Sequence, residues 1–442
     1  MRETKRFSIL TVFILMFCMM GFLQAIPQED KTEDVEDIDL EDLLNVEIVS
    51  ASKFSQKQNE APSIISVVTK DQISGYGWIS LYEILSKQPG FFTSYDYDRK
   101  TVGSRGLFEG WNNNHLLMLV DGVPFNDNLY GTAYTWENMP LFFIKSLEII
   151  RGPGSALYGS NATNGVLTIN TVEAVDLEKD SMVSFRFGNY NTQIYDLLAG
   201  NKGKHFSYVF GFNHFRTGGN EYESYDGSYR MDNSGSLQKF TVKDQRDSSY
   251  FFGKISGEGK YKGLSLQLHY QAWDFQTGHG WLWMIPDYDE AMKESRLMIS
   301  VAYKPEAKGK FFQEYVIRYQ RHNIDWNMMF YPQGAFDNFY PSGTWEYLKT
   351  KGEDIFARAQ FTYMLDKNAN ILAGVEGTYF MYNGDSEHFT NTDLNDEGGF
   401  TMTDGTVIPA GESGWWAPYP NGEMRPLGPW FAWVVSSIRL KV

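Results

Sequence analysis

The chain has 442 residues, a formal net charge of −16 and an aromatic content of 16%. Such an acidic protein is a poor candidate for binding nucleic acid through its phosphates. The 27 Tyr, 32 Phe and 12 Trp residues suit a surface that lies at a lipid–water boundary. They are equally typical of a soluble, aromatic-rich β protein such as a carbohydrate binder, and composition alone leaves both classes open.

Residues 1–25 have the pattern of a secretory signal peptide. Three basic residues precede an apolar run at 7–23, and Ala25 provides a small residue at a plausible cleavage point. The run is also barely long enough for an uncleaved membrane anchor, but the acidic stretch that follows favours cleavage. The single cysteine, Cys18, lies in this run, so the cleaved protein would have neither disulfides nor thiol chemistry.

Residues 26–60 are predicted to form a disordered acidic leader, because carboxylates crowd the stretch 28–42. Apolar residues then alternate at Val46 and Ile48, which predicts a short extended peptide.

Residues 61–175 predict one α+β domain with a mixed sheet and short helices. Apolar, β-branched runs are typical of buried strands; they are Ile64–Val68, Leu116–Val120, Ser146–Arg151 and Val166–Thr171. Capping-box patterns begin at Thr69 and Ser80 and predict two helix starts. The pair Pro89-Gly90 ends the second helix.

Residues 181–442 predict an antiparallel transmembrane β-barrel. Aromatic residues alternate with small or polar ones from Phe206 to Phe212, and comparable stretches recur to the end of the chain. Strands of about ten residues with one apolar face are what a lipid-embedded barrel requires. A soluble sandwich also alternates, but with shorter strands and a less consistently aromatic face. Three polar stretches predict long loops: Thr217–Ser249, Met328–Asp354 and Asn383–Gly428.

Residues 147–171 carry the motif Leu-Glu-Ile-Ile-Arg-Gly-Pro-Gly-Ser-Ala-Leu-Tyr-Gly-Ser-Asn-Ala-Thr-Asn-Gly-Val-Leu-Thr-Ile-Asn-Thr. This motif closely resembles the end of the plug domain in TonB-dependent outer-membrane receptors. Upstream elements at 64–69, 81–90, 105–106 and 117–124 match that family in order and spacing. The resemblance covers about residues 46–171. In the rest of the chain it is limited to the alternating pattern of barrel strands. It implies a plug inside a barrel in the outer membrane, exported through a cleaved signal peptide.

Six residues of the motif form a predicted plug latch: Arg151, Gly152, Pro153, Gly154, Gly159 and Gly165. The glycines allow tight turns and close backbone approach, and the proline fixes a turn after the strand. Arg151 is a rigid, multidentate donor, and the resemblance implies that it contacts a carboxylate on the barrel wall. The glycine spacing does not fit a dinucleotide-binding loop, and Ser160-Asn161 stand where a phosphate-binding loop would need Lys-Ser or Lys-Thr.

A second short match precedes the plug. The peptide Val46, Glu47, Ile48, Val49, Ser50 and Ala51 resembles the TonB box, which pairs with a TonB-type periplasmic energy-coupling protein. Strand addition explains such pairing, because backbone hydrogen bonds supply affinity and alternate side chains supply selectivity.

The sequence gives no sign of an enzyme. The seven histidines show no metal-ligand spacing, and no nucleophile elbow occurs. We therefore expect no catalytic site, no bound metal and no cofactor.

The resemblance implies import of a scarce nutrient, such as an iron chelate or cobalamin, by energised displacement of the plug. Candidate ligand contacts lie on polar, aromatic loops beside plug strands: Tyr95, Tyr97, Arg99, Trp111, Asn113, Asn128 and Tyr130. These loops can also be read as contacts to the barrel wall alone. A surface receptor or adhesin that binds without transport, and a nonfunctional fragment, are the alternative functions.

The length of the chain predicts an incomplete barrel. Complete receptors of the family have about 22 strands, whereas the residues after the plug allow about 11 to 14 once the long loops are set aside. An open sheet cannot lie in lipid, because its edge amides lack partners. We expect the N-terminal part of a longer receptor; a naturally shortened gene and a smaller closed barrel are the alternatives.

Overall fold

The computed structural model describes residues 47–48, 56–57, 64–96, 99–107, 113–154, 158–159, 161–177, 181–225, 231–242, 244–276, 291–331, 344–366, 370–390, 400–401, 407–408, 413–416 and 434–440. They belong to one of two compact units of the chain, Glu47–Val442; the other unit, Met1–Val46, lies outside the described residues. The predicted signal peptide and most of the predicted leader are therefore outside them.

The N-terminal domain, called the plug below, is a mixed sheet with two short helices, which confirms the predicted α+β class. Ahead of the plug, β1 (Glu47–Ile48) pairs antiparallel with β2 (Gln56–Lys57). The elements of the plug are β3 (Ile64–Thr69), α1 (Lys70–Tyr76), α2 (Leu81–Ser86), β4 (Phe91–Asp96), β5 (Arg99–Ser104), β6 (Leu116–Val120), β7 (Val123–Pro124), β8 (Ile144–Arg151) and β9 (Gly165–Thr171). The sheet order is β3-β8-β9-β6-β7, with β6 parallel to β9, while β4 and β5 form a separate hairpin.

The two plug helices begin at the predicted hydroxyl residues. Thr69 forms a complete capping box with Gln72, with reciprocal hydrogen bonds of 3.3 and 3.0 Å. Ser80 accepts from the Glu83 amide at 3.4 Å, but the Glu83 carboxylate accepts from Ile79 N instead of Ser80 N. The second box is therefore half formed, and its acid satisfies an amide one residue earlier.

A large antiparallel sheet follows the plug. Nine long strands of this sheet pair in chain order, and a separate short hairpin is inserted between the third and the fourth of them. Its elements are β10 (Ser181–Gly188), β11 (Thr192–Lys202), β12 (Phe206–Thr217), β13 (Tyr222–Tyr225), β14 (Lys239–Val242), β15 (Arg246–Gly257), β16 (Leu264–Phe275), β17 (Ala291–Tyr303), β18 (Phe311–Tyr331), β19 (Thr344–Met364) and β20 (Asn370–Thr390). Later short strands are β21 (Phe400–Thr401), β22 (Val407–Ile408), β23 (Ser413–Trp416) and β24 (Val434–Leu440); the first two pair with each other and the last two with β20. Single 3₁₀ turns lie at Ala174–Asp176 and Gly259–Tyr261. Within the described ranges β10 does not pair with β20, β23 or β24, so this part of the chain shows a partial barrel.

The sheet, called the wall below, has one face toward the plug and one away from it. On β12 the aromatic residues from Phe206 to Phe212 are exposed, while the alternate residues are buried. Buried wall residues Leu198, Val209 and Phe252 share one hydrophobic core with plug residues. Phe143 of the plug stacks on Phe252, with ring centroids 4.9 Å apart. The alternation predicted from sequence is therefore confirmed, and the outer face has the aromatic character that lipid requires.

The predicted strand length is wrong for the last three long strands. Each of β18, β19 and β20 has 21 residues, and they extend into stretches that the sequence predicted as loops, Met328–Asp354 and Asn383–Gly428. An extended strand of that length spans roughly 70 Å, against about 30 Å for the hydrocarbon core. These strands are longer than a membrane-spanning strand needs to be, and the apolar alternation that marks a strand in the sequence does not continue into their outer ends.

No helix in the described part of the chain is long and apolar enough to cross a membrane.

Candidate functional site

The plug is held against the wall along residues 121–127, the clamp segment. Three arginines, one each on β17, β18 and β19, donate to its backbone carbonyls, and we call them the arginine clamp: Arg296, Arg318 and Arg358. The contacts are Arg358 Nη2 to Gly122 O at 2.8 Å, Arg318 Nη1 to Pro124 O at 2.8 Å, and Arg296 Nη2 to Asn126 O at 3.1 Å and to Phe125 O. The wall thus supplies donors to four carbonyls of the clamp segment, and Asn126 O also accepts from Gln320 Nε2 at 3.3 Å.

Each clamp arginine is also fixed from the wall side. Arg358 Nη2 donates to Glu314 Oε1 at 3.0 Å, Arg318 pairs with Asp354, and Arg296 Nη2 donates to Gln320 Oε1 at 2.6 Å. The Arg296 guanidinium also lies over the Phe125 ring, 4.4 Å from its centroid. Because the planar guanidinium has five donors, it can hold a wall acceptor and a plug carbonyl at once.

Asp121 anchors the start of the clamp segment. Its carboxylate accepts from Lys254 Nζ at 2.8 Å, from Thr171 N at 2.8 Å and from Gln267. Lys254, on β15, also pairs with Glu173. Burial alone would raise the pKa of Asp121, but the Lys254 charge and these hydrogen bonds lower it to about 2.

Asp127 anchors the other end of the segment. It accepts from the amides of Leu129, Tyr130 and Thr132 at 2.8, 2.8 and 2.6 Å, which fixes the loop after the clamp segment. Its Oδ1 lies 3.5 Å from Nδ1 of His322, whose Nε2 lies 2.6 Å from Glu294 Oε2. Burial would raise the pKa of Asp127, but hydrogen bonding and the charge of His322 hold it well below its usual range.

These acidic and imidazole groups do not make a metal site. In the ranges that the structure describes, no group of three His, Cys, Asp or Glu side chains is placed to hold a metal ion.

The predicted TonB box lies mostly outside the described residues. Glu47 and Ile48 form β1 and pair with Lys57 and Gln56, whereas Val46, Val49, Ser50 and Ala51 are outside.

Arg151 contacts the plug itself, which differs from the expected pair with a barrel carboxylate. It donates to Ser66 Oγ and lies 3.5 Å from Gln88 Oε1, and its carbonyl accepts from Arg105 Nη2 at 3.0 Å. The register explains this, because Ser66 faces Ile149 on the neighbouring strand and so lies diagonal to Arg151 on one face of the sheet. Burial and the adjacent Arg105 charge lower the pKa of Arg151.

The other predicted latch residues form the turn and the strand after β8. Gly152 has φ 105°, Pro153 follows it, and Gly154 N donates to Ala162 O at 2.8 Å. A Cβ on Gly165 would lie 2.7 Å from Ile150 O, so the close pairing of β8 and β9 requires glycine there. Gly159 has φ 75°, and a Cβ would lie 2.9 Å from Glu376 Oε1 of β20, so this loop comes close to the wall.

Two of the predicted ligand contacts bond to or stack on wall side chains. Tyr95 donates to Asp244 Oδ2 at 2.5 Å and accepts from Arg246 Nη2 at 3.0 Å, next to the start of β15. Burial raises the pKa of Tyr95, so its phenol stays protonated. Tyr130 stacks on Trp326 of β18 with nearly parallel rings, centroids 6.0 Å apart.

Of the remaining predicted ligand contacts, one is buried, one lies beside the wall, one is described by its backbone alone and two are outside the described residues. Asn113 lies in the plug interior, where its amide bonds Val102 N, Ala133 O and Thr135 Oγ1 at 2.9, 2.9 and 3.0 Å. Asn128 lies beside Gly352 of β19. Arg99 begins β5, and Tyr97 and Trp111 are outside the described residues.

The sequence reasoning missed the arginine clamp. A usable signal exists, because Arg318, Gln320 and His322 occupy alternate positions and therefore share the inward face of β18. Polar side chains on the inner face of a predicted barrel strand mark contacts to whatever fills the barrel.

A family model described as TonB-dependent Receptor Plug Domain matches residues 57–166. Over 142 residues the chain is 34% identical to the vitamin B12 transporter BtuB of Vibrio vulnificus, a match that covers 32% of this chain and 23% of that protein. BtuB of Photobacterium profundum is 36% identical over 128 residues, which cover 29% of this chain and 20% of BtuB.

Solved structures show the shared fold over a longer range. The pyoverdine outer membrane receptor FpvA of Pseudomonas aeruginosa aligns with a TM-score of 0.57 at 12% identity, covering 89% of this chain and 54% of FpvA. A mutant of the ferric enterobactin receptor PfeA from the same organism has a TM-score of 0.57 at 17% identity, covering 81% and 54%. The chain thus spans under a quarter of the curated relatives it matches and about half of these solved structures. Residues 57–166 are therefore a TonB-dependent receptor plug domain, and the partial barrel that follows them has the fold of these solved receptors.

Proposed function

We propose that this protein is an outer-membrane receptor that imports a scarce nutrient by energised displacement of its plug. The observation that carries the proposal is the arginine clamp, which holds the plug to the wall by hydrogen bonds to backbone carbonyls. Because the donors are charged, each of these bonds contributes about 1.5–3 kcal/mol, and water can replace it when the plug moves. A plug held in this way stays in place at rest and yields to a supply of energy.

The energy reaches the plug through the predicted TonB box at residues 46–51. The extended backbone of Glu47 and Ile48 supports this assignment, because a TonB-type periplasmic protein would add a strand to it. The chain is exported through its signal peptide at 1–25, and its aromatic outer face contacts outer-membrane lipid.

The cargo is a cobalamin or a ferric siderophore. Vitamin B12 is the compound named for the BtuB relatives, and FpvA is described as bound to pyoverdine. We assign cargo binding to the plug segments that carry Tyr97, Arg99 and Trp111, called the plug apex, through their aromatic and guanidinium groups. Tyr95, Asn128 and Tyr130 attach the neighbouring loops to the wall. Asn113 holds the plug interior beneath these loops, and the latch around Arg151 keeps the plug sheet together.

A disulfide between plug and wall tests whether the plug must move. A Cβ on Gly352 would lie 3.0 Å from Leu129 Cγ, and a disulfide sulfur lies about 3 Å from its partner's Cβ. The double variant Leu129→Cys with Gly352→Cys would therefore join the loop after the clamp segment to β19. Cells without their own receptors, expressing this variant, should accumulate labelled cyanocobalamin or a ferric siderophore only after reduction.

The two single-cysteine variants are the controls and should be insensitive to oxidant. Equal accumulation by the oxidised and reduced double variant would contradict the proposal that the plug is displaced from β19. Accumulation that continues after collapse of the proton gradient would show binding without energised import.

A further inference from the structure

One edge of the wall is basic although the protein as a whole is acidic. Three short connections that the structure describes in full lie at this edge, at 203–205, 258–263 and 304–310, and they carry six lysines and two acidic residues, a net charge of +4. By sequence, the chain segments that join the strands at their opposite ends, 189–191, 218–245, 276–290 and 332–343, carry a net charge of −6. Short turns are typical of the periplasmic end of an outer-membrane barrel and long loops of the extracellular end. The basic edge is therefore the periplasmic one.

Aromatic rings lie directly above this edge on the outer face of the wall. Phe206 stacks on Tyr261 with centroids 4.9 Å apart, and Lys260 Nζ lies 4.7 Å from the Tyr261 ring. Two further stacked pairs, Tyr303–Tyr315 and Phe311–Phe361, have centroids 6.5 and 6.0 Å apart. Because Phe206 alternates with residues buried against the plug, its ring faces away from the plug. Rings with neighbouring amines are typical of the interface between lipid and water.

Several of these amines are available to a partner. Lys204, Lys260 and Lys308 are exposed, and in the described part of the chain none of them lies in a salt bridge. Lys262 differs, because it pairs with Glu306 at 2.9 Å. The edge therefore offers unneutralised ammonium groups at the level where lipid headgroups meet the barrel.

We propose that this basic edge binds the phosphates of anionic phospholipids in the periplasmic leaflet of the outer membrane. The opposite charge of the headgroup and the continuity of the lysines with the lipid-facing aromatic rings select a lipid as the partner. The assignment rests on the proposed membrane location of the wall. Its consequence is that the wall is anchored at the end from which the plug is pulled.

The test measures which lipids the folded full-length chain retains. Protein in detergent micelles is mixed with phosphatidylglycerol or phosphatidylcholine, and bound lipids are counted by native mass spectrometry. The parent protein should retain phosphatidylglycerol in preference. The triple variant Lys204→Gln, Lys260→Gln, Lys308→Gln should lose about fivefold in affinity per lysine, or about 100-fold together.

The matched control removes three lysines at the opposite end of the wall: Lys239→Gln, Lys293→Gln, Lys349→Gln. It changes the net charge equally and should retain phosphatidylglycerol as the parent does. Equal retention of both lipids by the parent, as expected if the edge instead met an acidic periplasmic protein, would overturn the proposal. So would an equal loss in the control. Failure of the chain to enter micelles or to retain either lipid would overturn the membrane location together with this inference.

Discussion

Arg318 and Asp354 form a buried ion pair between neighbouring wall strands, with side chains 7% and 1% exposed, while Arg318 donates to Pro124 O of the plug. The substitution Asp354→Ala would leave the guanidinium charge buried without its carboxylate. Such a loss costs about 3–5 kcal/mol. We expect a lower midpoint of thermal unfolding, which circular dichroism of the protein in detergent would measure. We also expect large antibiotics to enter cells faster.

The exposed pair of Lys349 and Asp325 provides the control. Its atoms lie 3.4 Å apart and both side chains are 58% exposed, so Asp325→Ala should cost at most about 1 kcal/mol. Equal effects of the two substitutions would show that burial of the Arg318–Asp354 pair does not increase its contribution to stability.

The ion pair of Asp121 and Lys254 makes the hold on the plug depend on pH. Because the pKa of Asp121 is lowered from 3.8 to about 2, its contribution is complete above about pH 4 and is lost as pH falls towards 2. The contribution is about 2 kcal/mol. The unfolding free energy in urea should fall over this window in the parent and less steeply in Asp121→Asn. The substitution Asp71→Asn, at an exposed position on α1, should leave the slope unchanged; an unchanged slope in Asp121→Asn would contradict the assignment.

Gly165 and Gly75 should respond oppositely to alanine. At Gly165 the new Cβ would meet Ile150 O at 2.7 Å, so Gly165→Ala should destabilise the plug by about 1–3 kcal/mol. Gly75 lies in α1 with open space around it, so Gly75→Ala should stabilise by about 0.5–1 kcal/mol. Hydrogen exchange of the plug amides measures both, and faster exchange in Gly75→Ala would refute the local account.

Arg151→Ala should loosen the plug without freeing it from the wall. Its contacts are with Ser66 and Gln88 of the plug, so β3 should exchange faster while dye leakage through the barrel rises less than in Arg318→Ala. Ligand affinity should stay at the parental value. Greater leakage in Arg151→Ala than in Arg318→Ala would contradict this and would favour the pair between Arg151 and a barrel carboxylate that the family resemblance implied.

Local chemistry explains which parts of this fold were predictable from sequence. The capping box at Thr69 and the alternation from Phe206 to Phe212 depend on near neighbours, and both are confirmed. The partners of Arg318 depend on a contact between positions 194 residues apart. No local pattern encodes which carbonyl faces it. The expected partner of Arg151, a barrel carboxylate, was inferred from the family resemblance. The register of β3 with β8 instead places Ser66 beside the Arg151 side chain as an acceptor.

The arginine clamp acts on main-chain carbonyls, which every amino acid carries. The side chains of the same segment are nonetheless constrained, because Phe125 lies under the Arg296 guanidinium and the Asn126 amide bonds Met118 N and Leu116 O. Substitution can therefore weaken the contact from either side: on the wall by removing a donor, and on the plug by releasing the backbone conformation that presents the carbonyls. A receptor built this way can change its cargo preference at the apex without redesigning the attachment below it.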